Sequence, residues 1–397
     1  MRRAYKFRAY PTCPQEGRAV RLLADHCDLY NAALEERREA WRMRKAGISY
    51  CMQSAQLKDI RKADPGGQGR HSFTAQQQTL RRLDTAFKAF YARCKAAGGG
   101  KKPGYPRFKP YRRFSQVMFV NRDGAKWEAA SGRWAYATFQ AVGRVKVKQH
   151  RSVPGLVKAL QLKQEHRRWY VIVVTDTEPE PLLPAGREVG VDVGIARFLT
   201  TSDGEVVGNP GFFAASADLI ADLQRRKERA TPGSGNRDRL RRALARQWRK
   251  VRNRRRDFHH KTARTLVSEC DVIVLEELNI AGMTRRSTPK PDPHNPGGYL
   301  PNRAAAKAGL NRSILDAGWA QFITILAGKA EEAGRRVVFV NAAGTSITCY
   351  QCGRRCERPR QDTVACPVHG PMDADVNGAR NIFTRAGLGS GQAANAA

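Results

Sequence analysis

The chain has 397 residues and a formal net charge of +35, with 71 Lys and Arg residues against 36 Asp and Glu residues. This imbalance favours a nucleic-acid partner, because a protein that neutralises many phosphates releases their counterions and binds tightly. No stretch is long and apolar enough to span a bilayer, and the N-terminus lacks the apolar core of a signal peptide. We therefore expect a cytoplasmic protein that makes no membrane contact.

The first 180 residues change from a strand pattern to helices and back to strands. Residues 3–10 alternate like a strand, and apolar residues recur at helical spacing over 15–44 and 74–97. From 105 to 170, short alternating runs are typical of antiparallel strands. This order predicts helices inserted into a small β-barrel or sheet, followed by a proline-rich linker at 179–184.

Three carboxylates adjoin apolar segments in the second half of the chain. Asp192 and Glu276 each end a predicted buried strand, and Asp375 opens the predicted C-terminal helix. Carboxylates from separate elements can converge on two Mg²⁺ ions, one of which activates water while the other stabilises the leaving oxygen. In a chain this basic, the pattern indicates a metal-dependent nuclease.

Two of these carboxylates have an acidic neighbour that competes for the same role. Glu277 follows Glu276, although strand alternation places the two side chains on opposite faces. Asp373 precedes Asp375 by two residues and could instead cap the helix. From the residues alone, either member of each acidic pair could be the functional carboxylate.

Two closely spaced ligand pairs predict a structural zinc site. Cys349 and Cys352 form the first pair, and Cys366 and His369 form the second after thirteen intervening residues. Four protein ligands leave no open coordination position, which favours a structural role. Cys356 is the alternative fourth ligand. The other five cysteines are dispersed, and we expect no disulfide framework.

Two basic segments predict nucleic-acid contact. Residues 223–265 carry seventeen Lys or Arg and three acids on a predicted helix with one Pro-Gly break, and Trp248, Phe258 and His259 are interleaved. Residues 101–114 mix cations with aromatic residues, and their prolines argue against a helix. Both patterns allow phosphate contact and base stacking. The alternative for the first is a solvated helical face, and the alternative for the second is burial of its aromatic residues in the core. The candidate contact residues are Arg241, Arg249, Lys250, Arg254, Lys101, Lys102, Arg107 and Lys109.

The order of its short motifs gives the chain a resemblance to a known family. It resembles the TnpB nucleases of insertion sequences, relatives and ancestors of the type V CRISPR effectors, over nearly its whole length. The matching stretches are, in chain order, RRAYKFRAYPT with LYNAALEERREAW, GYPRFKPYRRF, GRVKVKQHRSVPG, GVDVGIARFLTTSDG, VIVLEELNIAGM, TSITCYQCG and DADVNGARNI.

The resemblance implies an α+β multidomain fold. A wedge-type β-barrel with an inserted helical recognition domain would precede an RNase H-like (RuvC) α/β nuclease domain interrupted by a zinc ribbon. The expected parts are the barrel at 1–14 and 105–180, the helical recognition domain at 15–104, the RuvC domain at 187–348, the zinc ribbon for target nucleic acid at 349–370, the third RuvC helix at 371–386 and a disordered tail at 387–397. Residues 283–306, rich in Pro, Gly and Arg, are expected to form a mobile lid or substrate-contact loop.

Carried over position by position, the resemblance makes Asp192, Glu276 and Asp375 the catalytic carboxylates that bind Mg²⁺. The family's Glu-acidic-Leu pattern selects Glu276 over Glu277. Its Asp-x-Asn pattern selects Asp375 over Asp373. The same resemblance places the three cysteines of the two pairs in the zinc ribbon, where the histidine departs from the usual fourth cysteine.

The function implied by the resemblance is RNA-guided DNA cleavage. A guide RNA would pair with target DNA beside a short flanking motif, and two-metal chemistry would hydrolyse the phosphodiester. The partners would be guide RNA and target DNA, with the protein a monomer or homodimer on the RNA. The alternatives are a miniature type V CRISPR effector with the same chemistry, and a non-cleaving RNA-guided DNA-binding or transposition accessory protein.

Overall fold

The computed structural model describes residues 1–96, 103–129, 132–166, 168–295 and 297–388. The chain divides into two compact units, Met1–Glu178 and a second that begins at Pro179. The division falls at the start of the proline-rich segment that the sequence predicts as a linker. Lys101, Lys102 and the predicted tail from residue 389 onward lie outside the described residues. Within the described part, no helix is long and apolar enough to cross a membrane.

The first unit contains a closed seven-stranded β-barrel. Its strands are β1 (Arg2–Tyr10), β2 (Gln116–Asn121), β3 (Gly124–Ala129), β4 (Trp134–Phe139), β5 (Gly143–Lys148), β6 (Leu156–Glu165) and β7 (Arg168–Asp176). They are hydrogen-bonded in the order β1-β5-β4-β3-β2-β6-β7. β1 pairs antiparallel with both β5 and β7, so the first strand of the chain joins strands from much later in the sequence. Tyr5, Phe7 and Ala9 of β1 are buried, as expected for side chains that alternate between the two faces of a strand.

Three helices lie between β1 and β2, which confirms the predicted insertion. They are α1 (Cys13–Arg44), α2 (Tyr50–Ala63) and α3 (Phe73–Ala96). Thr12 and Gln15 form a capping box that starts α1 directly after the first strand. The sequence did not predict α2, because its two buried positions, Gln53 and Leu57, give too weak an apolar period. The limits of the predicted domains stay predictions.

The second unit is built on a five-stranded mixed sheet. The strands of this unit are β8 (Glu188–Val193), β9 (Arg197–Thr201), β10 (Val206–Gly208), β11 (Val272–Glu276), β12 (Lys290–Pro291), β13 (Tyr299–Leu300), β14 (Arg336–Val340), β15 (Glu357–Arg360), β16 (Thr363–Cys366) and β17 (Gly370–Asp373). The main sheet has the order β10-β9-β8-β11-β14. Its strands β8, β11 and β14 run parallel, while β9 and β10 continue as an antiparallel meander. β15, β16 and β17 form a separate antiparallel sheet.

Helices cover both faces of the main sheet. The helices of this unit are α4 (Ala217–Arg229), α5 (Gly235–Glu269), α6 (Ile280–Met283), α7 (Ala304–Ala317), α8 (Trp319–Glu332) and α9 (Ala374–Arg385). Val191 and Ile273 face the core formed with α5, α7 and α8, whereas Val274 packs against Ile382 of α9 on the other side. The Pro-Gly break predicted in the basic segment separates α4 from α5. A lid role for residues 283–306 stays a prediction.

Candidate active site and metal cluster

Asp192 and Glu276 lie at the carboxyl ends of two neighbouring parallel strands. In the register of β8 and β11, the residues just before them are direct partners, so Asp192 and Glu276 follow side by side. Neighbouring strands lie about 4.8 Å apart, and partner side chains point to the same face. That face is the one covered by α9, because Gly190 and Val274, two residues earlier on each strand, contact that helix.

α9 brings the third carboxylate to the same place through two close approaches to β8. A β-carbon on Gly190 would lie 2.2 Å from the carbonyl oxygen of Ala379, and one on Gly378 would lie 3.2 Å from Oδ2 of Asp192. Glycine at both positions lets the helix contact the strand directly. Asp375 lies three residues before Gly378 and therefore on the same side of the helix.

Burial and mutual repulsion oppose simultaneous ionisation of the three carboxyl groups. Burial, and after it the charges of Glu276 and Asp375, raise the pKa of Asp192 to about 7. Burial also raises the pKa of Glu276 and that of Asp375. Each negative charge in a poorly solvated site favours the neutral form of its neighbours. A bound cation would relieve this repulsion, so the carboxylate set fits Mg²⁺, which prefers oxygen ligands.

The three carboxylates do not form as compact a group of ligand atoms as the Cys/His cluster does. Within the described ranges, the one group of at least three His, Cys, Asp or Glu ligand atoms compact enough for a single ion is the Cys/His cluster. A less compact group is compatible with two ions, which lie about 3.5–4 Å apart in two-metal nucleases.

Thr345 holds the carboxylate of Glu276. The Thr345 hydroxyl donates to Oε1 of Glu276, and this bond lowers the pKa of Glu276 against the larger effect of burial. Thr345 is itself buried, whereas Glu277, which follows the last residue of β11, is exposed. Sequence reasoning missed Thr345; its one signal is a hydroxyl residue four positions before Cys349.

Asp373 caps α9 and fixes the turn that carries Asp375. Oδ1 of Asp373 accepts hydrogen bonds of 3.0 Å from the backbone N–H groups of Asp375 and Val376. Arg197 donates to Asp373 at 2.8 Å and lies 3.6 Å from Oδ2 of Asp375. The capping role that the sequence left open for Asp373 is therefore the observed one.

One side of α9 fastens the segment that connects β14 to the Cys/His cluster. Asn377 donates to the carbonyl of Thr348 at 2.8 Å and accepts from the backbone N–H of Tyr350 at 3.0 Å. Asn381, one turn later, donates to the carbonyls of Thr345 and Thr348 at 2.8 and 2.7 Å. The helix that carries the third carboxylate thus also positions the hydroxyl that holds the second.

Cys349, Cys352, Cys366 and His369 form one cluster, whose ligand atoms all lie within 4.8 Å of one another. The Cys352 and Cys366 sulfurs are 3.6 Å apart, and Nδ1 of His369 lies 3.5 Å from Cys349 Sγ and 3.6 Å from Cys366 Sγ. A zinc tetrahedron with Zn–S of about 2.3 Å and Zn–N of about 2.0 Å has edges of roughly 3.5–3.8 Å. The four residues could therefore hold Zn²⁺ with little movement.

The geometry distinguishes the two alternative fourth ligands. Cys356 lies outside the cluster of four, and its thiol contacts the carbonyl of Arg354 at 3.8 Å. Burial raises the pKa of the Cys356 thiol to about 11, whereas a zinc ligand is a thiolate. For Cys366 burial acts in the same direction, but hydrogen bonds from the backbone of His369 and Val368 lower its pKa to about 6. The arrangement favours His369 over Cys356.

The candidate cations on α5 lie away from the core. Arg241, Lys250 and Arg254 are exposed, and Arg249 is half-buried. A contact between these side chains and a nucleic acid stays a prediction.

Two aromatic residues of α5 have a different role from the predicted one. Phe258 packs against Phe198 with ring centroids 4.9 Å apart, and the buried His259 pairs with the carbonyl of Ala317 at 2.9 Å. The prediction that they interleave with the cations on a nucleic-acid surface is wrong, because they lie on the face of α5 that covers the sheet. Trp248 remains 42% exposed.

The candidate cations of the first unit differ from each other in exposure. Arg107 is exposed, whereas the Lys109 ammonium lies 4.9 Å from the centroid of the Tyr30 ring and burial lowers its pKa. The backbone of Lys109 is fixed on α1 by two hydrogen bonds of 2.9 Å to the side chain of Asn31. Their contact with nucleic acid also stays a prediction.

Two family models match the chain in the regions that supply the site. A model described as "Probable transposase" matches residues 171–287, and one described as "Cas12f1-like, TNB domain" matches residues 319–382. The first match contains Asp192 and Glu276. The second contains Asp375 and the Cys/His cluster.

Similar proteins extend over almost the whole chain. It is 30% identical over 385 residues to "Putative RNA-guided DNA endonuclease InsQ" of Escherichia coli (strain K12), covering 96% of this chain and 91% of that protein. A "Putative RNA-guided DNA endonuclease" of Streptomyces pristinaespiralis is 29% identical over 398 residues, covering 98% and 90%. Cas12f1 in a complex with sgRNA and target DNA has a TM-score of 0.58 at 14% identity, over 93% of this chain and 82% of that one. The similarity to Cas12f1 shows a shared fold.

Proposed function

Because the chain belongs to the TnpB family of RNA-guided DNA endonucleases, we propose that it cleaves DNA with Asp192, Glu276 and Asp375 under the direction of a guide RNA. The convergence of these three carboxylates from β8, β11 and α9 carries the proposal. Burial and the other two charges raise the pKa of Asp192 to about 7. Perturbation of this kind, in which buried like charges face one another, is typical of functional sites.

The sheet supports assignment of an RNase H-like nuclease domain of the RuvC type. Its three parallel strands bring the carboxyl ends of β8 and β11 to one edge, and α9 adds the third carboxylate across that edge. The small sheet of β15, β16 and β17 interrupts this domain between β14 and α9. An interruption at that place is what a zinc ribbon between the second and third carboxylates requires.

Asp192, Glu276 and Asp375 would hold two Mg²⁺ ions. When bound, such ions supply an activated water and stabilise the leaving oxygen. The protein's own contribution is orientation: the Thr345 hydroxyl keeps the Glu276 carboxylate directed, and Asp373 fixes the first turn of α9. Fixed carboxylates need no rearrangement when the scissile phosphate arrives, which favours the in-line attack of water.

The four residues Cys349, Cys352, Cys366 and His369 would hold one structural Zn²⁺. All four are protein ligands, so the ion has no open position for a substrate. Its contribution would be to fix the small sheet next to α9. The half-exposed surface of that sheet would then contact nucleic acid close to the carboxylates.

The excess of positive charge supports an RNA partner as well as a DNA one. Pairing between guide and target supplies sequence recognition, so the protein needs shape and charge rather than base-reading side chains. Exposed cations such as Arg241, Lys250, Arg254 and Arg107 would contact phosphates of the two nucleic acids.

Cleavage by the protein purified with its co-expressed RNA tests the proposal. With Mg²⁺ and a DNA that pairs with the guide, the wild type should cut, whereas Asp192→Ala should bind the same DNA and leave it intact. Glu277→Ala is the matched control and should cut like the wild type, because Glu277 is exposed and lies beyond the end of β11. Equal cutting by wild type and Asp192→Ala would overturn the assignment.

A further inference from the structure

The first unit contains an open cleft lined by arginine and aromatic side chains. The cleft has a volume of about 580 Å³ and lies between the last turns of α1 and residues 104–108. Arg38, Trp41 and Arg42 line it from the helix, and Arg107 and Phe108 line it from the opposite segment. A volume of a few hundred Å³ is typical of sites for small ligands.

Two large aromatic side chains in this cleft are exposed to solvent. Trp41 is 55% exposed and Phe108 is 43% exposed. The guanidinium of Arg38 lies 5.1 Å from the centroid of the Phe108 ring, within the range of a cation–π contact. One wall of the cleft therefore already has the stacked arginine and aromatic pair that favours planar, π-rich ligands.

The segment that carries Phe108 is held in a defined position. Tyr105 packs against Phe87 and Phe90 with ring centroids 5.4 and 5.1 Å apart. At the other end, the side chain of Asn31 bonds both the N–H and the carbonyl of Lys109. Prolines in this stretch restrict the backbone further. The exposed ring is thus presented by a rigid support, and its ordering cost is met before any ligand binds.

The charge of the cleft indicates the ligand. Arg38, Arg42 and Arg107 face one acid, Glu39, which pairs with Arg42. Arginine and aromatic side chains together bind single-stranded nucleic acid, in which a base stacks on a ring and the adjacent phosphates contact cations. A base inside a duplex is stacked on its neighbours and cannot enter a concave site, so the ligand must be unpaired.

We propose that this cleft binds one unpaired nucleotide, which stacks on Trp41 and Phe108 while its phosphates contact Arg38, Arg42 and Arg107. The inference rests on the proposed function, since it takes nucleic-acid binding by the chain as given. The nucleotide belongs either to an unpaired stretch of the RNA or to a DNA strand released from its duplex. The two sources have the same base and phosphate chemistry.

Photo-crosslinking in the assembled complex locates the nucleotide. One preparation contains RNA with 4-thiouridine, and a parallel one contains target DNA with 4-thiothymidine. We expect the crosslinked peptides to include Trp41 or residues 104–108, and the reactive preparation identifies the source of the nucleotide. Crosslinks confined to other parts of the protein in both preparations would contradict the proposal.

Substitutions then measure the contribution of stacking. Trp41→Ala and Phe108→Ala should each weaken binding of the crosslinked strand by roughly 5- to 150-fold, and Trp41→Phe should largely restore it. Tyr91→Ala is the control, because Tyr91 is 55% exposed in the same unit but does not line the cleft. Unchanged affinity in both cleft variants would overturn the proposal. If instead the wild type neither binds RNA nor cuts DNA, the proposed function itself has failed.

Discussion

Gly378 of α9 leaves room for the carboxylate of Asp192: a β-carbon at position 378 would lie 3.2 Å from Oδ2 of that carboxylate. The same helix meets β8 even more closely at Gly190, where a β-carbon would lie 2.2 Å from a backbone carbonyl oxygen. Two glycines, one on the strand and one on the helix, thus set how near Asp375 comes to Asp192. The proposed active site therefore depends on this packing as well as on its charged residues.

Gly190→Ala should lower the thermal midpoint of unfolding of the second unit. Its added methyl group would overlap the backbone of α9, which cannot move without disturbing the sheet, and overpacking of this kind costs about 1–3 kcal/mol. Gly328→Ala in α8 is the control, since nothing lies within 4 Å of the added carbon and alanine favours a helix. Calorimetry on both variants should show opposite shifts. A Gly190→Ala protein with an unchanged midpoint would contradict the close approach.

Thr345→Val should reduce cleavage although Thr345 is buried. Valine has nearly the same shape but cannot donate to Glu276, so the carboxylate loses its orientation. Loss of a group that orients a metal ligand typically costs about 10- to 100-fold in metal affinity or activity. Cleavage rates measured over a range of Mg²⁺ concentrations should show a higher half-saturating concentration for Thr345→Val. Thr345→Ser retains the hydroxyl and should behave like the wild type; equal impairment of both variants would indicate a packing role.

Asp192→Asn should stabilise the protein at pH 8 in the absence of Mg²⁺. Burial and the neighbouring charges raise the pKa of Asp192 from 3.8 to about 7 in the folded chain. Between these values the folded state binds more protons than the unfolded state, so stability falls as the pH rises through this window and the loss is complete above it. Each unit of pKa difference corresponds to about 1.4 kcal/mol. Asparagine has no charge and avoids this loss.

Denaturant unfolding at pH 4 and pH 8 checks the direction of this change in stability. The free energy of unfolding of Asp192→Asn should exceed that of the wild type by a large amount at pH 8 and by a small amount at pH 4. Added Mg²⁺ should narrow the difference at pH 8 by neutralising the carboxylates of the wild type. Identical unfolding curves for the two proteins at pH 8 would mean that ionised Asp192 does not destabilise the folded state, which would contradict the prediction.

Removal of a ligand from the Cys/His cluster should abolish zinc binding, whereas substitution of a cysteine outside the cluster should not. Wild-type protein should contain one zinc ion per chain, and Cys366→Ser should lose it, because a serine hydroxyl is a poor zinc ligand at neutral pH. Cys356→Ser should retain the metal, since Cys356 lies outside the cluster. His369→Cys should also retain it, with four thiolates. Elemental analysis of the purified variants gives these numbers directly, and loss of zinc in Cys356→Ser would reverse the choice of the fourth ligand.

Sequence patterns predicted the elements whose apolar residues have a clear period. The first strand, the inserted helices α1 and α3, and the break between α4 and α5 follow from alternation, helical spacing and a Pro-Gly step. The helix α2 could not be predicted in this way, because its few buried positions include the polar Gln53. The predicted surface role of Phe258 and His259 is wrong, because the arginines around them give α5 no clear apolar period from which their place on its core face could be predicted.

The site was predictable where a residue lies in a motif and not where it acts across the fold. Asp192 and Glu276 end apolar runs, so their place at strand ends follows from the sequence. Thr345 lies 69 residues from Glu276 in the chain, and the bond between them depends on how α9 fastens the connecting segment. Contacts of this kind have no local signal in a single sequence.

The most direct test of the central claim is to exchange the guide segment of the co-purified RNA for one that matches a different DNA. Cutting should move to the new DNA and cease on the old one, while Asp192→Ala bound to the same RNA should bind the new DNA without cutting it. Cutting that continues at the original sequence, or that survives in Asp192→Ala, would contradict RNA-guided cleavage by this carboxylate site.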